Sequence, residues 1–173
     1  MIALKHPILT WTIVFASCLT LQAKAQTPPT LLEGSIGAFY ETNTPKISKQ
    51  SQLVVYRSIS DGFRGVATVY VNGQYHTSLL AGTFSASLCL PPGTISLGLK
   101  KTTAGTPPSS KHPDTYSIDL AIGQITYVRI QEHNHQLRAQ KISAHDAESA
   151  LTGYRQQVHS ISRVKLAVSC AEQ

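Results

Sequence analysis

The chain has 173 residues, with 15 Lys and Arg against 9 Asp and Glu, a net charge of +6 with histidine neutral, and 42% hydrophobic residues. That is enough apolar sequence for one globular domain with a real core, and too much for a chain kept unfolded by its charge. The basic residues are dispersed, with no run longer than Lys100-Lys101, which excludes the clustered footprint of a nucleic-acid binder.

The N-terminus reads as an export signal. Lys5 supplies the positive start, Ile8 to Leu21 an apolar run, and Ala23-Lys24-Ala25 a small-x-small cleavage site before Gln26. Thr and Ser interrupt the run, and it is too short for a membrane span, which needs about 20 apolar residues. The competing reading is a lipoprotein acylated at Cys18 within Phe15-Ala16-Ser17-Cys18, although Phe fits poorly three residues before the cysteine. Cleavage after Ala25 leaves 148 residues with a net charge of +4 and two cysteines, Cys89 and Cys170. An even pair in an exported chain reads as one disulfide. Closing a loop of about 80 residues between them removes about 4.5 kcal/mol of unfolded-chain entropy. A metal site or a catalytic thiol is the alternative, but neither cysteine lies in a CxxC or beside a well-spaced His.

Residues 26–50 form a leader followed by an early strand over Ile36 to Tyr40, and residues 51–173 form the domain proper. Turn signals every eight to twelve residues predict an all-β sandwich of seven to nine mainly antiparallel strands. Ser51 to Ser58 is continuous enough in apolar residues to be central. Gly65 to Val71 and Gln74 to Leu80 flank Asn72-Gly73, the strongest short hairpin signal in the chain. Regular pairing in that hairpin sets Tyr70 against Tyr75, Thr68 against Thr77 and Val66 against Leu79. Thr83 to Leu90 is a strand on which alternation places Cys89 on the face opposite Leu88 and Leu90, so the bridge is expected at a strand end. Pro91-Pro92-Gly93 turns the chain into a strand over Thr94 to Lys100. Lys101 to Asp114 is a long Pro- and Ser-rich surface loop. Tyr116 to Ile122 and Gln124 to Gln131 are predicted to form a second hairpin around Gly123, followed by a turn and a strand over Gln136 to Ile142.

The period then changes to that of a helix. Ser143 has the N-cap spacing to Asp146, and Ala147, Ala150, Leu151, Tyr154, Val158 and Ile161 predict one amphipathic helix over about 144–159. Arg163 to Cys170 closes as a strand with Val164, Leu166 and Val168 on one face.

Chemistry-bearing residues are sparse. His133 and His135 would point the same way on a strand, which makes them weak metal candidates, but only Glu132 is near enough to add a ligand. His145 and His159 have no nucleophile beside them. Gly34-Ser35-Ile36-Gly37 has the residue types of a nucleophile elbow but the wrong spacing. The acids Glu33, Glu41, Asp61, Asp114 and Asp119 are scattered rather than paired. Tyr70, Tyr75, Tyr116 and Tyr127 fall within predicted strands, where cross-strand packing explains them. The exposed ribbon of Tyr70, Tyr75 and His76 is the candidate binding surface. No catalytic residue and no cofactor is expected.

The segments "VVYR", "VYVNGQYHTSLLAGTFSASLCLPPGTISL", "ITYVRI" and "YRQQVHSISRV" together resemble the DUF2846-like envelope domains of Gram-negative bacteria. They are also similar to the N-terminal region of some OmpA-family outer-membrane proteins, and the hairpin resembles PEGA-type surface modules. The resemblance runs from about Leu53 to Cys170. It implies an all-β sandwich, export, no known catalysis and a Cys89–Cys170 bridge. The expected role is a non-enzymatic periplasmic or outer-membrane-associated scaffold that binds an envelope protein such as an OmpA-like, adhesin or secretion component. The alternatives are a glycan- or peptidoglycan-binding module on the tyrosine ribbon and a periplasmic metal-binding protein.

Overall fold

The strand Ser51–Arg57 is buried at every residue, and the rest of the architecture follows from that. The computed structural model describes residues 36–42, 49–60, 62–103, 113–158, 160–167 and 170. The expected signal and leader, Cys18, Glu33, Asp61, His159 and the centre of the long loop lie outside the described residues. In chain order the elements are β1 (Ile36–Phe39), β2 (Ser51–Arg57), β3 (Val66–Val71), β4 (Gln74–Leu79), β5 (Thr83–Phe84) and β6 (Leu88–Leu90). They continue as β7 (Gly93–Thr102), β8 (Asp114–Leu120), β9 (Ile125–His133), β10 (Gln136–Ile142), α1 (Ala144–Leu151) and β11 (Arg155–Gln157).

Two sheets result. One runs β1-β11-β5-β2-β9-β10, with β6 paired to the other half of β2; the second runs β4-β3-β7-β8 and is antiparallel throughout. The first sheet carries two parallel pairs, β2 with β9 and β5 with β11. This is the expected all-β, mainly antiparallel sandwich with a single short helix near the C-terminus.

Leu53 and Val55 of β2 face the second sheet, joining Val69, Val71, Leu97, Leu99, Val128 and Ile130 in the inter-sheet core. Val54 and Tyr56 face the other way, into a smaller cluster with Phe84, Tyr127, Ala147, Leu151 and Tyr154. Helix α1 therefore covers the outer face of the first sheet. A strand covered on both faces needs no polar alternation, which is why β2 reads as a continuous apolar run. Opposite β2, the sandwich is sealed between edge strands: the Tyr116 hydroxyl donates to Leu137 O at 2.6 Å, and Lys141 Nζ to Asp119 O at 2.9 Å. A lysine on an edge carbonyl also blunts a strand edge against foreign pairing.

Several local expectations are corrected. Gly123 sits in a turn, but β8 and β9 do not form a hairpin; they belong to different sheets. The turn is tied instead to the start of β2, with Gly123 N donating to Gln50 O at 2.7 Å and Ser51 Oγ to Ala121 O at 2.6 Å. This delivers β9, apolar on both faces, beside β2. The expected strand Thr83–Leu90 is broken at Ser85–Ser87, where Ser85 bonds Val55 through its main chain (2.7 Å) and its hydroxyl (3.1 Å), and Gln52 Nε2 donates to Ser87 Oγ at 2.8 Å. Cys89 is the middle residue of β6, fully buried, and outside the inter-sheet cluster that holds Leu88 and Leu90. It is bonded to Cys170, with Cα atoms 5.4 Å apart and a sequence separation of 81.

The helix stops at Leu151, eight residues early. Ser143 accepts from Asp146 N as the expected N-cap, but Gly153 at φ +81° turns the chain out, and residues 155–157 pair as β11 with β1 and β5. Tyr154 still reaches the cluster beneath the helix, so the apolar stripe is preserved without the helical backbone. Residues 163–167 are not a strand: Ala167 N donates to Val164 O at 3.2 Å, closing a turn that sends the chain back toward its bond with Cys89.

Arg57, at the end of β2, is fully buried. Its Nη1 donates to Gly65 O at 2.6 Å and Leu79 O at 3.4 Å, its Nη2 donates to Phe63 O, and its guanidinium lies 4.8 Å from the Phe63 ring centroid. Lys101 Nζ stands 4.7 Å from the same ring, so Phe63 is in contact with two cations. One side chain thus ties the 62–65 loop and the end of β4 to the central strand. Replacing Arg57 by Ala strips partners from three carbonyls and leaves a void, so urea denaturation should show a loss of roughly 3 kcal/mol. An unchanged midpoint would mean the clamp carries no stability.

Candidate functional site

Asn72 and Gly73 adopt φ +50° and +76°, the two left-handed positions of a type I′ turn, and Tyr70 pairs with Tyr75 as expected. Beyond that pair the register departs from regular alternation. Val69 meets Thr77, Thr68 meets Ser78 and Ala67 meets Leu79, because a bulge inserts His76 into β4. An extra residue shifts every later partner by one and turns its own side chain toward the neighbouring face. Thr77 and Leu79 thereby come opposite Val69 and Ala67, while His76, next to Tyr75 in the strand, does not share the tyrosine face. Tyr70 and Tyr75 stay half-buried, with ring centroids 6.3 Å apart in an edge-to-face pair, and the Tyr75 hydroxyl donates to Ser78 Oγ at 3.2 Å. Tyr70 also packs over Gly98, where a Cβ would come within 3.3 Å of the tyrosine and of Pro113. His76 is 2% exposed and does not share that surface.

Neither ring nitrogen of His76 has a hydrogen-bond partner, nor does the neighbouring Thr77 hydroxyl. Burial alone pushes the imidazole down from its ordinary value to about 4. It is a buried histidine whose imidazole is held neutral.

His133 and His135 do not share a strand face. His133 ends β9 opposite Gln136, while Asn134 and His135, at φ +49° and +61°, form the turn itself. The His135 carbonyl accepts from Lys101 Nζ at 2.8 Å, and Glu132 pairs with the same lysine. Among the described residues no group of three or more His, Cys, Asp or Glu is placed to hold a metal ion. Asp119 accepts from the Thr94 hydroxyl at 2.6 Å on the β7–β8 face, Glu41 lies beside Phe39, and Asp114 begins β8, so these acids do not converge. His145 is exposed on α1.

The densest aromatic and polar cluster lies beneath α1. The Tyr40 and Tyr127 hydroxyls are 2.9 Å apart, and Tyr127 also donates to Glu148 Oε1 at 3.5 Å. Tyr56 stacks edge-on against Tyr154 at 6.0 Å, and Ile59 N donates to the Tyr154 hydroxyl at 2.8 Å. Burial raises Tyr127 above its ordinary value, reinforced by Tyr40 and Glu148; burial likewise raises Tyr56, with Arg129 pulling the other way. Both phenols are held neutral; Tyr127 bonds Tyr40 and Glu148, while the buried Tyr56 hydroxyl has no hydrogen-bond partner and its ring packs against Tyr154. The alternating Val54 and Tyr56 within an otherwise apolar run are the sequence signal for this second face.

Beside this body lies a wide groove of about 610 Å³, walled by Ile36, Phe63, Leu80 and Ala81 with Arg64 at its rim. Its volume falls in the range of ligand and peptide clefts. Phe63, which lines it, contacts both Arg57 and Lys101, so the groove adjoins the clamp at the end of β2. Compared with known proteins, the chain matches no protein-family model, no curated protein and no solved structure.

The buried histidine has a consequence for stability. The unfolded chain takes up a proton near pH 6.5 that the folded chain refuses until about pH 4, so folding is favoured above that window and weakened as pH falls through it. Between pH 7 and 4 the wild type should lose about 3 kcal/mol more stability than a His76→Leu variant, read from urea midpoints at several pH values. Parallel curves for the two proteins would show that His76 does not titrate across the unfolding transition.

Proposed function

We propose that this chain is an exported, non-enzymatic binding module of the bacterial envelope, working in the periplasm or at the outer membrane through a protein partner. The observation that carries the reading is the Cys89–Cys170 bond, which joins a central-sheet strand to the far end of the chain. A bond of that span persists in an oxidising compartment and is rare in the cytosol. The apolar N-terminal run with its Ala23-Lys24-Ala25 site, and the resemblance to DUF2846-like and OmpA-associated envelope domains, support the same compartment. The groove beside Phe63 supports a docking role, because it combines apolar walls, a basic residue and a loop tied to the central strand by Arg57. The neutral, mutually bonded tyrosines favour packing over catalysis.

A photo-crosslinking amino acid placed at Arg64 or Ala81 of the exported protein should yield one discrete adduct with an outer-membrane, adhesin or secretion protein. Cys89 and Cys170 should both resist alkylation in the same cells until a reductant is added. Free thiols, or a clean failure to crosslink at either groove position and along the C-terminal segment, would overturn the reading.

A further inference from the structure

Five large apolar side chains are strongly exposed among the described residues: Phe39, Ile59, Ile122, Ile161 and Leu166. Phe39 has the Arg155 guanidinium 5.3 Å from its ring centroid, and Ile59 covers Gly82. Ile161 and Leu166, 83% and 62% exposed, fall within six residues of each other on the segment that follows β11.

That segment is a strap along the edge of β4. Arg163 N donates to Tyr75 O at 2.8 Å, and Lys165 N donates to Gln74 Oε1 at 2.7 Å. Between them Val164 inserts its side chain into the inter-sheet core. The inward Val164 leaves Arg163 and Lys165 outward, and both are exposed. Beyond the turn at 164–167, the bond from Cys170 to Cys89 pins the far end. The strap is thus ordered in advance of any partner, which lowers the entropy cost of binding to it.

Its charge is one-sided. Residues 160–167 contain Arg163 and Lys165 and no acid, and β4 beneath contains none. The described acids lie elsewhere: Asp114 and Asp119 on β8 at the opposite edge of the second sheet, Glu132 paired with Lys101, Asp146 and Glu148 on α1, and Glu41 beside Phe39. Two cations flanked by two bare aliphatic side chains make a surface that the same strap of a second copy would meet with like charge.

We infer that the C-terminal strap, through Ile161, Arg163, Lys165 and Leu166, is the docking surface for an acidic, apolar-containing peptide segment of the envelope partner. The inference rests on the partner-binding reading above and names the chemistry of what is bound.

The test uses the oxidised chain and two labelled synthetic peptides, one alternating Glu with Val and Leu, the other Lys with Val and Leu. Fluorescence anisotropy should show micromolar binding of the acidic peptide alone, weakened by raising the salt concentration. The Arg163→Ser/Lys165→Ser double variant should bind it roughly tenfold more weakly, and Ile161→Ser should also weaken it. Ile122→Ser, another exposed aliphatic away from the strap, should leave binding unchanged. The Arg163→Glu/Lys165→Glu variant should prefer the basic peptide. Equal binding of both peptides, no binding of the acidic one, or an affinity indifferent to the strap variants would overturn the inference. A groove adduct that survives those strap variants would overturn it too while leaving the partner-binding reading intact; failure of the wild-type chain to form any adduct would remove both.

Discussion

Covering both faces of β2 is the constraint on which the remaining structure depends. Leu53 and Val55 require a second sheet on one side, and Val54 and Tyr56 require a cover on the other. A strand so enclosed must sit between other strands, and it takes β9 in parallel along one edge and the interrupted pair β5 and β6 along the other. The parallel partner is reached only by crossing from one sheet to the other, which the turn at Ala121–Gln124 accomplishes. Helix α1 is short because covering the outer face needs only Ala147 and Leu151 from it; Tyr154 contributes from beyond its end.

The same central strand organises the surfaces available for binding. Arg57 extends it into the sandwich end and gathers the carbonyls of Phe63, Gly65 and Leu79. A buried guanidinium is tolerated there because several acceptors and an aromatic face replace its water. The groove lined by the 62–65 loop and by Leu80 and Ala81 is therefore tied to the central strand through the Arg57 side chain. On the β4 edge the strap performs a related task, filling the core with Val164 while presenting charged neighbours outward.

The β3–β4 hairpin marks where sequence reasoning holds and where it stops. Asn72-Gly73 dictates its own backbone, since two successive left-handed residues are accessible to that dipeptide and close a two-residue turn; the Tyr70–Tyr75 pair follows from it. The bulge at His76 has no comparable local signature. It depends on what lies across the sheet and against the edge, and its effect is to set Thr77 and Leu79 opposite Val69 and Ala67 on the core side, where regular pairing sets them opposite Thr68 and Val66. His133 and His135 differ for a similar reason: a spacing of two means a shared face only when both residues are extended, and here the second is in the turn.

Local chemistry written in the chain was sufficient for the two-layer β class, the hairpin turn, the Ser143 cap and the strand Gln136–Ile142, because each rests on neighbours within a few residues. The union of Cys89 with Cys170 was legible from their being a pair. Only the folded chain decided that β9 lies beside β2 rather than β8, that residues 155–157 form a strand where helical spacing continues, and that 163–167 form a strap instead of a strand. Each of these outcomes is set by contacts between residues far apart in sequence, where burial against a distant surface outweighs the preference of the local segment.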